Sequence, residues 1–309
     1  MTDAVLLMAY GSPDRLDQVE AYYADIRRGR PSPRALLEEL LDRYRAIGGG
    51  SPLSRIVEEQ RAALEAELAR RGRPMPVYAG MKHIAPFIGD VVARMAGDGV
   101  ERAVAIALAP HASSMSSATY RRAVEAGAAT LGERVPEFRF VESWPDQPRF
   151  IDALAEATRE ALLRFPEGAR VRVVFTAHSL PTRIVGEGDP YPDELARTAA
   201  LVAGRLGLSD HRFAYQSAGR TDEPWLGPDL GDEIRGLADE GIREIVVCPV
   251  GFVADHLEVL YDIDIEAQAL ARQVGVRLER ARSMNADPTF ITGIADLVEG
   301  ALPTAAVPR

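Results

Sequence analysis

The chain has 309 residues, 46 acidic against 36 basic side chains and one cysteine, Cys248, for a formal net charge of −10. That length suggests two domains, and 47% hydrophobic with 27% charged residues is ordinary globular composition. The acidic balance excludes a general nucleic-acid binder, and a single thiol excludes an internal disulfide, a cysteine zinc site and a self-held iron–sulfur cluster.

The opening residues, Met1 to Tyr10, carry no basic leader, and their apolar run is too short for a signal-peptide core. No stretch approaches the ~20 apolar residues of a membrane span. A soluble, cytoplasmic protein without integral membrane association is expected. Lys82 is the only lysine, so nearly all positive charge is arginine, whose planar fork matches carboxylates.

In chain order, the pattern predicts a strand over 4–10, then two helices over 16–28 and 33–47 with no strand between them. That helical insertion should sit over a sheet edge or a cleft. Beyond it, strands are predicted at 76–80, 102–108, 137–141, 170–177, 212–216, 244–249 and 277–280, several as near-continuous apolar runs of the kind buried on both faces. Helices are predicted at 53–70, 87–98, 116–132, 149–165, 192–206 and 257–274. Alternating strands and helices imply parallel sheets with right-handed crossovers.

The sequence also repeats itself. Val5-Leu-Leu-Met-Ala-Tyr-Gly-Ser-Pro13 resembles Val173-Val-Phe-Thr-Ala-His-Ser-Leu-Pro181, and the stretch from Gly99 resembles that from Gly241 in the same order. Two similar α/β halves are expected, divided near Trp144–Pro148: residues 1–146 with the insertion at about 16–50, and residues 147–309, whose C-terminal helix packs across. Ligands of open parallel sheets bind outside the carboxyl ends of the strands. Tyr10 and His178 hold equivalent strand ends, so two facing halves would point both at a shared cleft.

Three groups of side chains carry chemistry. His178 follows a buried strand; a neutral imidazole there binds a borderline metal or accepts a proton, or is a hydrogen-bonded structural histidine. Glu258, Asp262 and Glu266 recur every four residues and form a stripe on one helix face. With no lysine or arginine between Asp255 and Glu266, the stripe is either a solvated acidic face or a path for cations or protons. His256 and Glu258 diverge by about 200° on a helix, which predicts that they do not share a ligand. Arginines 27, 28, 30, 43 and 45 flank the insertion, before Gly48–Gly50 and a predicted N-cap at Ser51 with Pro52 at the first helical position. They are either solvated or placed for carboxylates.

His83 and His111 read as structural or supporting, His211 as a surface-loop residue, Trp144 and Trp225 as packing anchors, and Cys248 as an inert buried thiol. There is no nucleotide-binding glycine motif and no nucleophile elbow.

Met8-Ala-Tyr-Gly-Ser-Pro13, Ala46-Ile-Gly-Gly-Gly-Ser-Pro-Leu53, Leu108-Ala-Pro-His111, Thr176-Ala-His-Ser-Leu-Pro181, Trp225-Leu-Gly-Pro-Asp229 and Pro249-Val-Gly-Phe-Val-Ala-Asp-His-Leu-Glu-Val-Leu-Tyr-Asp262 together resemble the ferrochelatase family, from about residue 4 to about residue 298. The likeness is greatest to the short Gram-positive type that inserts iron into coproporphyrin III in haem biosynthesis. It implies the chelatase fold, an α/β architecture of two Rossmann-like domains with parallel sheets facing a porphyrin cleft. It implies that His178 and Glu258 are the catalytic and metal-site pair, with Asp262 and Glu266 as an outer path. Tyr10 matches the residue that can coordinate iron from the opposite porphyrin face. Arg27, Arg43, Tyr44, Ser51 and Tyr120 match porphyrin-contacting positions. The implied partners are coproporphyrin III and Fe²⁺, the latter a substrate, in a monomer without a tightly bound cofactor. Relatives with a [2Fe–2S] cluster hold it on several cysteines; with Cys248 alone and a Pro/Ala-rich tail after Leu302, no cluster is expected here. The competing readings are a protoporphyrin IX ferrochelatase, a non-enzymatic porphyrin or haem carrier, and a two-lobed binding protein for a small anion.

Overall fold

The computed structural model describes residues 2–30, 33–132 and 135–302; the tail after Leu302 lies outside the described residues. Eight strands form two four-stranded parallel sheets. The first joins β1 (Asp3–Ala9), β2 (Val77–Met81), β3 (Arg102–Ala107) and β4 (Glu137–Val141) in the order β2-β1-β3-β4. The second joins β5 (Val171–His178), β6 (His211–Gln216), β7 (Glu244–Cys248) and β8 (Arg277–Arg280) in the order β6-β5-β7-β8. The orders are identical, with β1 equivalent to β5 and β3 to β7, which are the two repeated stretches. In each sheet those two strands are central, and Val5, Leu7, Val104, Ile106, Val173, Phe175, Val246 and Cys248 are buried in one continuous apolar core. Full burial of each large aliphatic among them is worth about 1.5–3 kcal/mol.

Two helices start at a side-chain cap followed by proline. Gln147 accepts from Phe150 N–H at the head of α6 (Pro148–Leu162), and Asp287 accepts from Thr289 and Phe290 N–H at the head of α12 (Pro288–Ala301), each with proline in the first turn. The helix at Leu53–Arg70 begins one residue after the predicted proline, and Ser51 Oγ accepts from Leu53 N–H. The insertion forms two shorter helices, Val19–Ile26 and Arg34–Ala46, the first after a single 3₁₀ turn. In order these helices are α1, α2 and α3. They are followed by α4 (Ile88–Gly97), α5 (Ser117–Ala128), α6, α7 (Arg183–Gly186), α8 (Tyr191–Leu206) and α9 (Leu230–Asp239). Helix α12 packs on α3 and α6, and Arg71 of α3 bonds Asp296, Glu299 and the Thr292 carbonyl on it.

The predicted helix over 257–274 is not continuous. It is α10 (Leu257–Leu260), a π-helical turn (Asp262–Ala267) and α11 (Gln268–Gln273). Within the wide turn Glu266 N–H reaches back five residues to the Tyr261 carbonyl at 2.9 Å. Such turns concentrate at functional sites.

Candidate active site

A cavity of about 470 Å³ opens at the carboxyl ends of the central strands, within the size range of small-ligand sites. Tyr10 follows β1, His178 ends β5, Tyr120 lies on α5 and Glu258 lies in the first turn of α10; all four line this cavity. So do Lys82, His111, Met115, Trp225, Gly251 and His256. Gly251 is needed for closeness: a Cβ there would stand 2.5 Å from the Ala177 Cβ and 2.8 Å from its Cα. The loop after β7 is thereby packed against the residue preceding His178.

The His178 ring is oriented by its Nδ1–H, which donates to the Ser179 carbonyl. That bond fixes the tautomer and leaves the Nε2 lone pair for a metal or a proton. His256 Nδ1 donates to the Ala254 carbonyl at 2.8 Å, and its Nε2 lies 3.2 Å from Glu258 Oε2. This overturns the expected divergence of the two side chains. His256 has φ −157° and ψ −174°, so it is extended backbone ahead of the helix and helical angles do not apply to it.

The three carboxylates run from cavity to surface. Glu258 lines the cavity, Asp262 is buried and Glu266 is exposed. Burial is the main cause that lifts Asp262 to about 7; Glu258 and Glu266 add to it, against the Ser217 hydroxyl hydrogen bond and Arg43. Arg43 sits 3.2 Å from Glu39 and 3.6 Å from Asp262, with its guanidinium over the Tyr261 ring. Arg220 forks onto Glu39 at 2.5 and 2.6 Å, so α2 is tied to the second sheet's side.

Burial also raises the Tyr10 and Tyr44 hydroxyls, with Glu258 as the next cause for each. Glu258 is therefore felt electrostatically by side chains carried on β1's end and on α2. The Lys82 ammonium lies 5.4 Å from the Tyr10 ring centroid and 5.9 Å from that of Tyr120. Burial, then Arg122 and Arg28, push it down to about 8. His83 Nδ1 meets Asp25 at 2.7 Å and its ring stands edge-on to Tyr10 at 4.5 Å, which fastens α1 beside the cavity.

Not every sequence candidate faces the cavity. Tyr44 is fully buried with its hydroxyl 2.7 Å from Ser12 Oγ, and Ser51 is buried beneath α3. Arg27 lies over the Tyr23 ring at the end of α1. His111 lines the cavity but is buried, bonds Thr198 Oγ1 at 2.9 Å and is pushed down to about 3 by burial. His211 is not in a surface loop; it begins β6 and packs edge-on to Phe175 at 5.4 Å. Trp144 is a buried anchor, whereas Trp225 reaches the cavity wall. Among the described residues no group of three or more His, Cys, Asp or Glu side chains could hold a metal ion, and no helix is long and apolar enough to cross a membrane.

Among solved structures, SirB from Bacillus subtilis with Fe³⁺ shares the fold, with a TM-score of 0.63 at 13% identity over 97% of this chain and 96% of that one. The architecture is thus that of the chelatases. The ferrochelatase family model matches residues 2–302. A ferrochelatase of Thermus thermophilus is 48% identical over 316 residues, covering 97% of this chain and 99% of its own length. A coproporphyrin III ferrochelatase of Geobacillus kaustophilus is 45% identical over 302 residues, covering 96% and 95%. The chain belongs to the ferrochelatase family, enzymes that insert iron into a porphyrin.

Proposed function

We propose that this chain inserts Fe²⁺ into coproporphyrin III in haem biosynthesis, with His178 and Glu258 as the metal-site and proton-accepting pair. The observation that carries the reading is that these two unlike donors line one cavity, with His178 Nε2 left unoccupied by the bond at Nδ1. Insertion replaces two pyrrole protons by one Fe²⁺ that has shed its waters. A borderline nitrogen donor and a carboxylate suit both halves of that exchange. A cavity held between packed sheets can keep the ring puckered, with remote carboxylate contacts offsetting the strain.

In this reading Asp262, poised near neutrality, passes protons or metal between Glu258 and exposed Glu266. Tyr10 coordinates iron from the other face of the ring. Tyr120, which lines the cavity, contacts the ring, Arg27 and Arg43 on the insertion hold its propionates, and Tyr44 and Ser51, both buried, support that wall from behind. Coproporphyrin is favoured by the relatives bearing that name and by the arginines around the insertion, since the ring carries four propionates. The reading includes a monomeric cytoplasmic protein without a [2Fe–2S] cluster, divided near Trp144–Pro148. The test is anaerobic Fe²⁺ insertion with coproporphyrin III and protoporphyrin IX in parallel. Turnover with coproporphyrin III alone or strongly preferred is expected. Preference for protoporphyrin IX overturns the substrate, and tight porphyrin binding without turnover overturns the enzyme in favour of a carrier.

A further inference from the structure

The segment from Val253 to Asp264 carries His256, Glu258 and Asp262, and one loop holds both of its ends. Arg280, the last residue of β8, forks onto Asp264 at 2.7 and 2.9 Å and reaches Asp255 at 3.2 Å, with its side chain only 15% exposed. Ser283 Oγ and Asn285 Nδ2 donate to the two oxygens of Asp255 at 2.7 and 2.9 Å. Asp255 N–H donates to Asn285 Oδ1 at 2.9 Å. Asn285 adopts φ +46°, a left-handed conformation that asparagine tolerates better than most residues. From there its N–H bonds the Val253 carbonyl and its own carbonyl accepts from Gln60 Nε2 of α3, both at 2.8 Å. The start of the segment, its wide turn and the first sheet's helix layer are thus joined through residues 280–285.

This arrangement sorts the carboxylates. Asp255 and Asp264 share Arg280, whereas the Glu258 carboxylate meets His256, Asp262 meets Ser217 and Arg43, and Glu266 is exposed. It also bears on helical register. A wide turn holds one extra residue in the hydrogen-bond ladder, and relaxing it to ordinary α-helix would rotate the side chains on its two sides relative to one another by about 100°. A bidentate arginine–carboxylate pair has the geometric specificity to oppose that rotation. The fork holds Asp264 inside the turn while the second contact holds Asp255 before it.

We propose that Arg280 is a positioning residue for metal entry: by clamping Asp255 and Asp264 it fixes the register in which Glu258 and Asp262 are offered to the incoming cation. The inference rests on the proposed function, and its test separates the two. Arg280→Gln is expected to raise KM for Fe²⁺ about tenfold while KM for coproporphyrin III stays within about twofold, as for residues that orient metal ligands. Arg280→Lys, with a point charge in place of a fork, should recover part of that shift. Calorimetric titration with Co²⁺ in the absence of porphyrin should show the same order of affinities. A folded Arg280→Gln variant with parental metal KM and Co²⁺ affinity overturns the proposal, whatever its kcat. If Arg280→Gln does not fold, Asp264→Asn removes the fork and leaves the Asp255 contact; an unchanged metal KM in that variant is equally fatal. A parent protein that binds Co²⁺ but inserts no iron defeats the proposed function, and the Co²⁺ series then decides the inference by itself.

Discussion

His256 Nε2 lies 3.2 Å from Glu258 Oε2 while its other ring nitrogen is committed to the Ala254 carbonyl. A neutral imidazole in that tautomer presents a lone pair to the carboxylate, so a proton or a cation belongs between them. Glu258→Gln supplies an N–H there and keeps the contact while removing the charge. Iron insertion is expected to fall by about 10²–10⁴-fold, with porphyrin affinity within about threefold, the range for loss of a proton-transfer group. Steady-state insertion and porphyrin fluorescence quenching measure the two effects. Near-normal turnover would remove Glu258 from the site.

The buried Asp262 gives a signed pH dependence. Its carboxyl is lifted from 3.8 to about 7 in the folded protein, so the native state binds the proton more tightly than the unfolded chain. Stability contributed by this group is present below its unfolded value and declines as pH rises toward about 7. Asp262→Asn abolishes the titration. Relative to the parent, the variant should gain about 2–3 kcal/mol more at pH 8 than at pH 5 in urea unfolding. An equal difference at both pH values contradicts the assignment.

Gly251 is tested by adding one carbon. Gly251→Ala forces a Cβ to 2.5 Å from that of Ala177, and overpacking of this kind costs about 1–3 kcal/mol. Insertion activity should fall as well, because the displaced strand end carries His178. Adding Ala177→Gly should restore part of both, since it deletes the closer of the two clashing atoms. Parental stability in the single variant counts against the close approach.

The Arg43 guanidinium faces Glu39 and Asp262 beside the Tyr261 ring. Arg43→Ala should weaken coproporphyrin III binding about tenfold, the scale of one charge-assisted hydrogen bond. It should also move the pH profile of insertion upward, since Arg43 is one of the groups holding Asp262 down. Equal porphyrin affinity in titrations of variant and parent refutes the carboxylate contact.

Cys248 is fully buried within β7, and burial pushes its thiol up to about 12. Iodoacetamide at pH 8 should leave the native protein unmodified and react only as fast as the chain unfolds. Rapid alkylation of native protein, followed by mass spectrometry, would show the strand to be accessible.

The strands were legible because parallel sheets covered on both faces read as unbroken apolar runs: Val173–Ala177 could hardly be anything else. Their ends were legible too, and with them the positions of Tyr10 and His178. Helix α9 carries a readable signal too, Asp229 as cap and Leu230, Ile234, Leu237 and Ala238 on one face. What escaped was non-local. The break in the helix after Glu258 coincides with an arginine that arrives from β8, sixteen residues beyond Asp264. The contact between His256 and Glu258 is not legible because the helix begins only at Leu257, so helical spacing does not reach His256. The burial of Tyr44 depends on Ser12, thirty-two residues away, and no local pattern encodes that.

Helix α12 packs on α3, and Arg71 at the end of α3 meets it across 225 residues of sequence. The first sheet's helix layer therefore waits, with an apolar flank uncovered, while more than two hundred further residues are made. Contacts of such separation are slow to form and leave sticky surface exposed in the interval. The first sheet's outer layer is completed by an element made long after it.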